Sequence, residues 1–263
     1  MLIFQIFKSK TPITLKARVL QRGLLTLLLA VGPLAVQAQG GPPMVTDDPG
    51  TPGDGNWEIN LASLGQHSQQ GWLYTVLDAD INYGWGERLQ LKVDSPWNAT
   101  RSQGAWAGGS GTTLFGVKWR FYDDDATGWA ISTYPQLGFN LQPGSVRRGL
   151  AAPGKSFLLP VETTTHLGPV DIDMELGRNL EQDGTATWIA GLILAHTYAN
   201  RVEVMAEVHE QWSPAHPSTL LNLGTRWEID KGLSLMGALG REVGAADPSR
   251  LSTLAYLGFQ LRR

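Results

Sequence analysis

"PVDIDMELGR", Pro169 to Arg178, decides the fold. Val170, Ile172, Met174 and Leu176 fall on alternate positions, with Asp171, Asp173, Glu175 and Gly177 between them. A period of two is the mark of a strand, because successive side chains leave an extended backbone on opposite faces. Runs of about eight to twelve residues with the same beat flank this one along the chain, separated by clusters of Gly, Pro, Asn and Asp. On the N-terminal side lie "NWEINLAS", "LYTVLDADINY", "RLQLKVDSPW", "LFGVKWRFY", the Pro-interrupted "GWAISTYPQLGFNL" and "FLLPVETTTHL". On the C-terminal side lie "TATWIAGLILAHTY", "RVEVMAEVHEQW", "TLLNLGTRWEI", "LSLMGALGRE" and "LSTLAYLGFQL".

These make twelve runs, an even number, each long enough to cross a bilayer when tilted. The reading is all-β: a closed antiparallel transmembrane barrel of about 12 strands after a cleaved signal peptide. Loop lengths agree with it. "GQHSQQG", "NATRSQGAWAGGSG", "QPGSVRRGLAAPGK", "NLEQDG", "SPAHPS" and "VGAADPSR" alternate with "GWGE", "DDDATG", "GP", "AN" and "DK", none of which exceeds the two loops beside it. Outer-membrane barrels have short periplasmic turns and longer extracellular loops, so both ends of the barrel chain are expected in the periplasm. Trp57, Tyr83, Trp119, Phe121, Trp129, Tyr198, Trp227 and Phe259 fall near the short-turn ends of strands, and Trp72, Trp97, Phe157, Trp188 and Trp212 near the long-loop ends. Two such girdles suit the two interfaces of a bilayer. A large soluble β-sandwich or lectin-like barrel is the alternative, with the apolar face as its core.

The N-terminus supplies a route to that membrane. Lys8, Lys10, Lys16, Arg18 and Arg22 precede the apolar stretch Gly23–Val36, which is too short to span a bilayer as a helix, and Val36-Gln37-Ala38 offers small residues for a signal peptidase. The spacing predicts cleavage after Ala38; an internal start or an uncleaved anchor is the alternative. The chain then divides into residues 1–38 as signal peptide, 39–55 as an extended Pro/Gly-rich periplasmic or plug segment, and 56–263 as barrel. With no cysteine in an exported chain, a disulfide scaffold is excluded. A net charge of −3 and the lack of a Lys/Arg cluster beyond the signal region speak against nucleic-acid binding.

"GPPMVTDDPGTPGDGNWEINL", "DADINYGWGERLQLKVDSPW" and "TTLFGVKWRFYDDD" together resemble the exported proteins of the "MetA-pathway of phenol degradation" family, and "LNLGTRWEIDKGLSLMGALGRE" is similar to it too. The likeness is strongest over about residues 41 to 125. It implies a transporter-like outer-membrane barrel and, through the family name, uptake of aromatic or hydrophobic compounds; it supplies no binding residues. The chain departs from the usual pattern at its end. Ala255, Leu257, Phe259 and Leu261 keep the alternation of a barrel-assembly signal, but Arg262-Arg263 stands where an aromatic residue is usual, which bears on assembly efficiency.

Charges turned to lipid cost about 2–4 kcal/mol for each Lys or Arg at the midplane, so the alternation sends them inward. The expected lumen set is Asp78, Asp80, Lys92, Asp94, Lys118, Arg120, Glu162, His166, Asp171, Asp173, Glu175, Arg178, Glu203, Glu207, His209, Arg226 and Glu228. It is read either as a polar permeation path or as pairs that fill and stiffen a narrow interior. Asp171, Asp173 and Glu175 follow one another about 7 Å apart on one face, with Lys118, Arg120 or Arg226 as expected partners. Trp106, Arg147, Arg148 and Lys155 are candidate contacts in the mouth formed by the two longest loops. Asp47 and Asp48 are plug candidates, able to meet Lys118 or Arg120 if the segment folds into the barrel; a periplasmic tether is the other reading.

Other chemistry is thinly supported. His67, His166, His196, His209 and His216 lack HExxH or His-x-His spacing, so no metal site is expected. Asp47, Asp48 and Asp54 in "DDPGTPGDG" fail the EF-hand spacing for calcium. Ser110 in "GGSGTT" lacks the GxSxG context of a nucleophile elbow. The expectation is a non-enzymatic channel for passive uptake of small molecules in the bacterial outer membrane. Its partners would be outer-membrane lipid, a small-molecule solute and the barrel-assembly machinery, with no cofactor. A lipid-modifying, acyl-hydrolase-like barrel enzyme and a plugged structural barrel are the alternatives.

Overall fold

The alternation becomes hydrogen-bonded strand along most of the chain beyond Asn56. The computed structural model describes residues 41–263 except 103, 200, 213–216 and 245–246. The expected signal peptide, His216, and parts of the connections "SPAHPS", "AN" and "VGAADPSR" therefore lie outside the described residues. The strands are β1 (Trp57–Ser68), β2 (Gly71–Trp85), β3 (Leu89–Ser102), β4 (Ala105–Ser110), β5 (Thr112–Asp124), β6 (Trp129–Thr133) and β7 (Gln136–Asn140). There follow β8 (Ser156–Leu167), β9 (Val170–Glu181), β10 (Ala186–Tyr198), β11 (Val202–Trp212), β12 (Ser218–Asp230), β13 (Leu233–Val243) and β14 (Thr253–Arg262). One short helix among the described residues, α1 (Pro143–Arg147), lies between β7 and β8.

All fourteen segments belong to one antiparallel sheet, and they build twelve staves. β4 and β5, interrupted at Gly111, pair in succession with β3 and form one stave. β6 and β7 flank Tyr134-Pro135, pair with β5 on one side and β8 on the other, and form another. Proline brings no N–H to a ladder, which explains the break. β1 pairs with β14 from Glu58↔Arg262 to His67↔Thr253, so the sheet closes on itself and leaves no edge. Arg262 takes part in that closure: its Nε lies 2.9 Å from Glu58 Oε2.

Facing follows the alternation. Leu192, Leu194, Val204, Val208, Leu221 and Leu223 are exposed on the outer surface, while Ile193, Met205, Asn222 and Met236 are buried inside. The tryptophans of both expected girdles are exposed, as a lipid-facing wall requires.

The wall departs from strict alternation at one place and from the expected loop lengths at two. In β2 an extra residue, Val76, breaks the register against β3 between Thr75 and Leu77. Val76 and Leu77 both face out, and Thr75 turns inward to donate to Asn98 Oδ1 at 2.8 Å; a bulge exchanges the faces of everything before it. The stretch "NATRSQGAWAGGSG" is largely strand, because β3 and β4 run on as a hairpin in which the Arg101 guanidinium sits 6.0 Å over the Trp106 ring. "GQHSQQG" shrinks likewise to a tight turn, since β1 pairs with β2 out to Ser68↔Gly71.

Candidate functional site

The interior of the barrel holds the chain's own residues 41–50. A segment with so many prolines and glycines cannot join the sheet, yet its backbone polar groups still need partners. Lumenal side chains supply them. Glu207 Oε1 accepts the Val45 N–H at 2.9 Å and the Thr46 N–H at 2.6 Å, and Asn222 donates to the other oxygen of Glu207 at 3.1 Å. Arg226 pairs with Glu203 at 2.7 Å and donates from Nη2 to the Pro42 carbonyl at 2.6 Å. Asp47 N–H reaches Glu175 Oε2 at 3.3 Å, and Thr46 Oγ1 lies 3.4 Å from His209 Nδ1.

The strongest tie is at Lys118. Its Nζ lies 2.8 Å from Asp47 Oδ1 and 3.5 Å from Glu162 Oε2, and it donates to the Asp48 carbonyl. The ammonium also sits 4.7 Å from the centre of the Tyr134 ring, and Ser132 donates to Glu162 at 2.5 Å. The Lys118 side chain is 2% exposed, so this charge is neutralised by partners rather than by bulk water. Burial pushes the Asp47 carboxyl up, but the Lys118 charge and hydrogen bond outweigh it and hold the group below its ordinary value. Asp48 goes the other way: burial raises it more than Lys118 lowers it, with the Asp47 charge adding to the rise.

Apolar contacts complete the seat. Met44 packs among Ile193, Ala195, Met205 and Ala238, with Tyr256 beside them. The wall gives way where the segment passes: a methyl group at Gly191 would collide with the Thr46 side chain, and one at Gly224 with Met44. The segment then leaves beneath the β2–β3 turn, where Thr51 Oγ1 donates to Glu87 O at 2.9 Å and Asp54 accepts the Gly86 N–H at 2.8 Å. Asp54 is thus engaged apart from Asp47 and Asp48, which share Lys118.

A second cluster lies on β2 and β3. Lys92 Nζ is 3.3 Å from Asp80 Oδ1, and Asn60 and Asn82 donate to the same carboxylate at 3.2 and 3.1 Å. Asp94 stands opposite Asp80, and Asp78 opposite Pro96. Asn60, Asp78, Asp80, Lys92 and Asp94 border a cavity of about 340 Å³ whose floor is Gly41–Val45 and whose lining runs up to Gln66, Gln211 and Leu251 near the long-loop strand ends.

Of the expected lumen set, Asp78, Asp80, Lys92, Asp94, Lys118, Glu162, Asp171, Asp173, Glu175, Glu203, Glu207, His209 and Arg226 turn inward. Arg120, His166 and Arg178 do not line the interior. Arg120 is at the short-turn rim, 3.2 Å from Asp123 and donating to Glu87 O at 2.9 Å. His166 is exposed, its ring against the Gly128 turn, and the Glu228 backbone closes the turn with Arg201. Arg178 continues the outward parity of Val170 to Leu176, and its guanidinium lies 4.8 Å over Trp188 on the outer surface. Asp173 accepts from Thr164 at 2.5 Å and Glu175 from the Asp47 N–H, rather than pairing with Lys118, Arg120 or Arg226.

The balance of charge also differs from the mixed interior expected. Only Lys92, Lys118 and Arg226 answer a larger set of carboxylates among the described residues, so the lumen is acidic. The loop "QPGSVRRGLAAPGK" does not simply fringe the mouth: it carries α1 and buries Leu150, whose carbonyl accepts from lumenal Asn98 at 2.7 Å. Ser110 Oγ has no hydrogen-bond partner among the described residues. Sequence reading missed Met44, Thr46, Tyr134, Gly191, Asn222 and Gly224. The glycines were the available signal, since an inward glycine inside a strand marks the close approach of another part of the chain.

Solved structures share this architecture. The COG4313 outer membrane channel from Pseudomonas putida F1 superposes with a TM-score of 0.60 at 12% identity, over 89% of this chain and 100% of its own. The fold is that of the outer-membrane β-barrel porins. KdgM porin matches with a TM-score of 0.56 at 10% identity and NanC porin with 0.56 at 8%, each over 78% of this chain and 98% of its own. No family model matches the chain, and no curated protein does.

Proposed function

We propose that this chain is a bacterial outer-membrane channel for the passive diffusion of small molecules, its lumen narrowed by residues 41–50. The observation that carries the reading is a closed, apolar-walled barrel with a polar interior and a cavity of about 340 Å³ above the inserted segment. The similarity in fold to porins supports it. The short turns face the periplasm and the longer loops the outside, so the segment enters from the periplasmic side at Trp57. Resemblance to the "MetA-pathway of phenol degradation" family favours hydrophobic or aromatic solutes. Outer-membrane lipid and the barrel-assembly machinery are its expected partners.

A structural barrel permanently closed by its own segment is the second reading. The full burial of Thr46 and the burial of Lys118 favour it. Reconstitution in a planar bilayer separates the two: discrete conductance steps support the channel, a silent but heat-modifiable barrel supports the structural role, and a protein soluble without detergent contradicts both.

A further inference from the structure

We propose that the lumenal cavity is a binding site for a small organic cation with an apolar body, which deepens the channel reading and rests on it for access through the long-loop end. One wall of the cavity carries Asp78, Asp80 and Asp94 on neighbouring strands. Like charges directly opposite one another, as Asp80 and Asp94 are, destabilise a sheet unless a cation intervenes. Lys92 answers Asp80 at 3.3 Å. Among the described residues, neither Asp78 nor Asp94 has a cationic partner within ion-pair distance, and one oxygen of each is buried without a hydrogen-bond partner.

An independent observation points to the same place. Asn60 also lines the cavity, is 2% exposed, and leaves its Oδ1 with no partner although its amide donates to Asp80 and Glu58. Asp78 and Asp94 meet side chain to side chain, and with the buried Asn60 carbonyl oxygen in the same lining they offer acceptors beyond those that Lys92 answers, which suits an ammonium group. The rest of the lining is of another kind. Met44, Leu254 and Tyr256 border the same space, offering apolar surface and an aromatic ring able to hold a cation by its face. A cavity with convergent polar groups on one side and apolar lining on the other is the usual form of a small-molecule site. The ammonium end would lie at Asp78 and Asp94, and the hydrocarbon end against Met44, Leu254 and Tyr256.

The test is calorimetric titration of the full folded chain in detergent with three ligands of one shape: phenethylammonium, 2-phenylethanol and phenylacetate. The cation should bind at least tenfold more tightly than the neutral or anionic compound. The double variant Asp78→Asn/Asp94→Asn should lose at least tenfold in phenethylammonium affinity with 2-phenylethanol unchanged. Equal binding of the three ligands by the unaltered protein, absence of binding by the cation, or undiminished cation binding by the folded double variant overturns the proposal. Conductance of the same preparation keeps the two readings apart. A conducting barrel without cation preference removes the site and leaves the channel; a silent barrel that prefers the cation keeps the site and removes permeation.

Discussion

Lys118 Nζ lies 2.8 Å from Asp47 Oδ1, joining the middle of a barrel stave to a residue that precedes the first strand. Together with Glu162 at 3.5 Å, it makes a buried cluster in which one ammonium serves two carboxylates and a backbone carbonyl. Such a cluster stabilises little relative to an apolar replacement of the whole, but loss of one member leaves uncompensated charge and costs about 3–5 kcal/mol.

Lys118→Met should therefore release residues 41–50 from the lumen while leaving the staves paired. Hydrogen exchange at the Val45 and Thr46 amides, which Glu207 now holds, should accelerate by at least a hundredfold, whereas exchange in β10 and β11 should not change. Equal protection of both amides in the variant would show that Lys118 does not anchor the segment.

Gly224→Leu tests the seat by volume instead of charge. A side chain there would occupy the position of Met44, on a stave held by backbone pairing to β11 and β13. The barrel should stay heat-modifiable in gels, and the segment should become cleavable by added protease. A variant that remains protected with its segment in place would show that the wall has slack where contact is now tight.

Acid should act on the segment in two stages. Asp48 is raised above its ordinary value of 3.8 by burial, so its charge opposes docking at neutral pH, and that opposition is relieved as pH falls toward 3.8. Asp47 is held below 3.8 by Lys118, so the stabilisation from that pair is complete above 3.8 and is lost as pH falls through the lower value. Protease protection of residues 41–50 should be kept or strengthened on mild acidification and collapse only below about pH 3.8. Loss of protection already near pH 6 would contradict this assignment.

Leu192 sits at the middle of β10 on the outer face. Leu192→Arg should destabilise the folded barrel by about 2–4 kcal/mol in equilibrium unfolding from bilayers, the cost of a guanidinium at the midplane. An unchanged midpoint would mean that this face does not meet hydrocarbon.

Most of the wall was legible because a period of two, carried by runs such as Val170–Gly177, leaves little choice of face once one side must meet an apolar medium. It failed where local chemistry shifted the count. The bulge at Val76 turned Thr75 inward, and the Arg101–Trp106 pair extended a hairpin through a stretch rich in loop residues. Arg178 was assigned inward against its own parity; a guanidinium near a strand end can lie on an interfacial tryptophan instead of avoiding the outer face. The site was harder. Charge alone marks Lys118 and Glu207, but only long-range contact reveals that Glu207 holds backbone amides of Val45 and Thr46, 162 and 161 residues away. Gly191 and Gly224 carried that information as absences of side chain, which hydrophobic patterning does not weigh.

In the proposed channel, residues 41–50 occupy and narrow a conducting lumen. Single-channel recording of the full chain beside a variant lacking Gly41 to Asp54, in the same planar bilayer, tests it most directly. Discrete steps are expected for both, with conductance at least severalfold larger for the deletion. Identical conductance in the two proteins would contradict it.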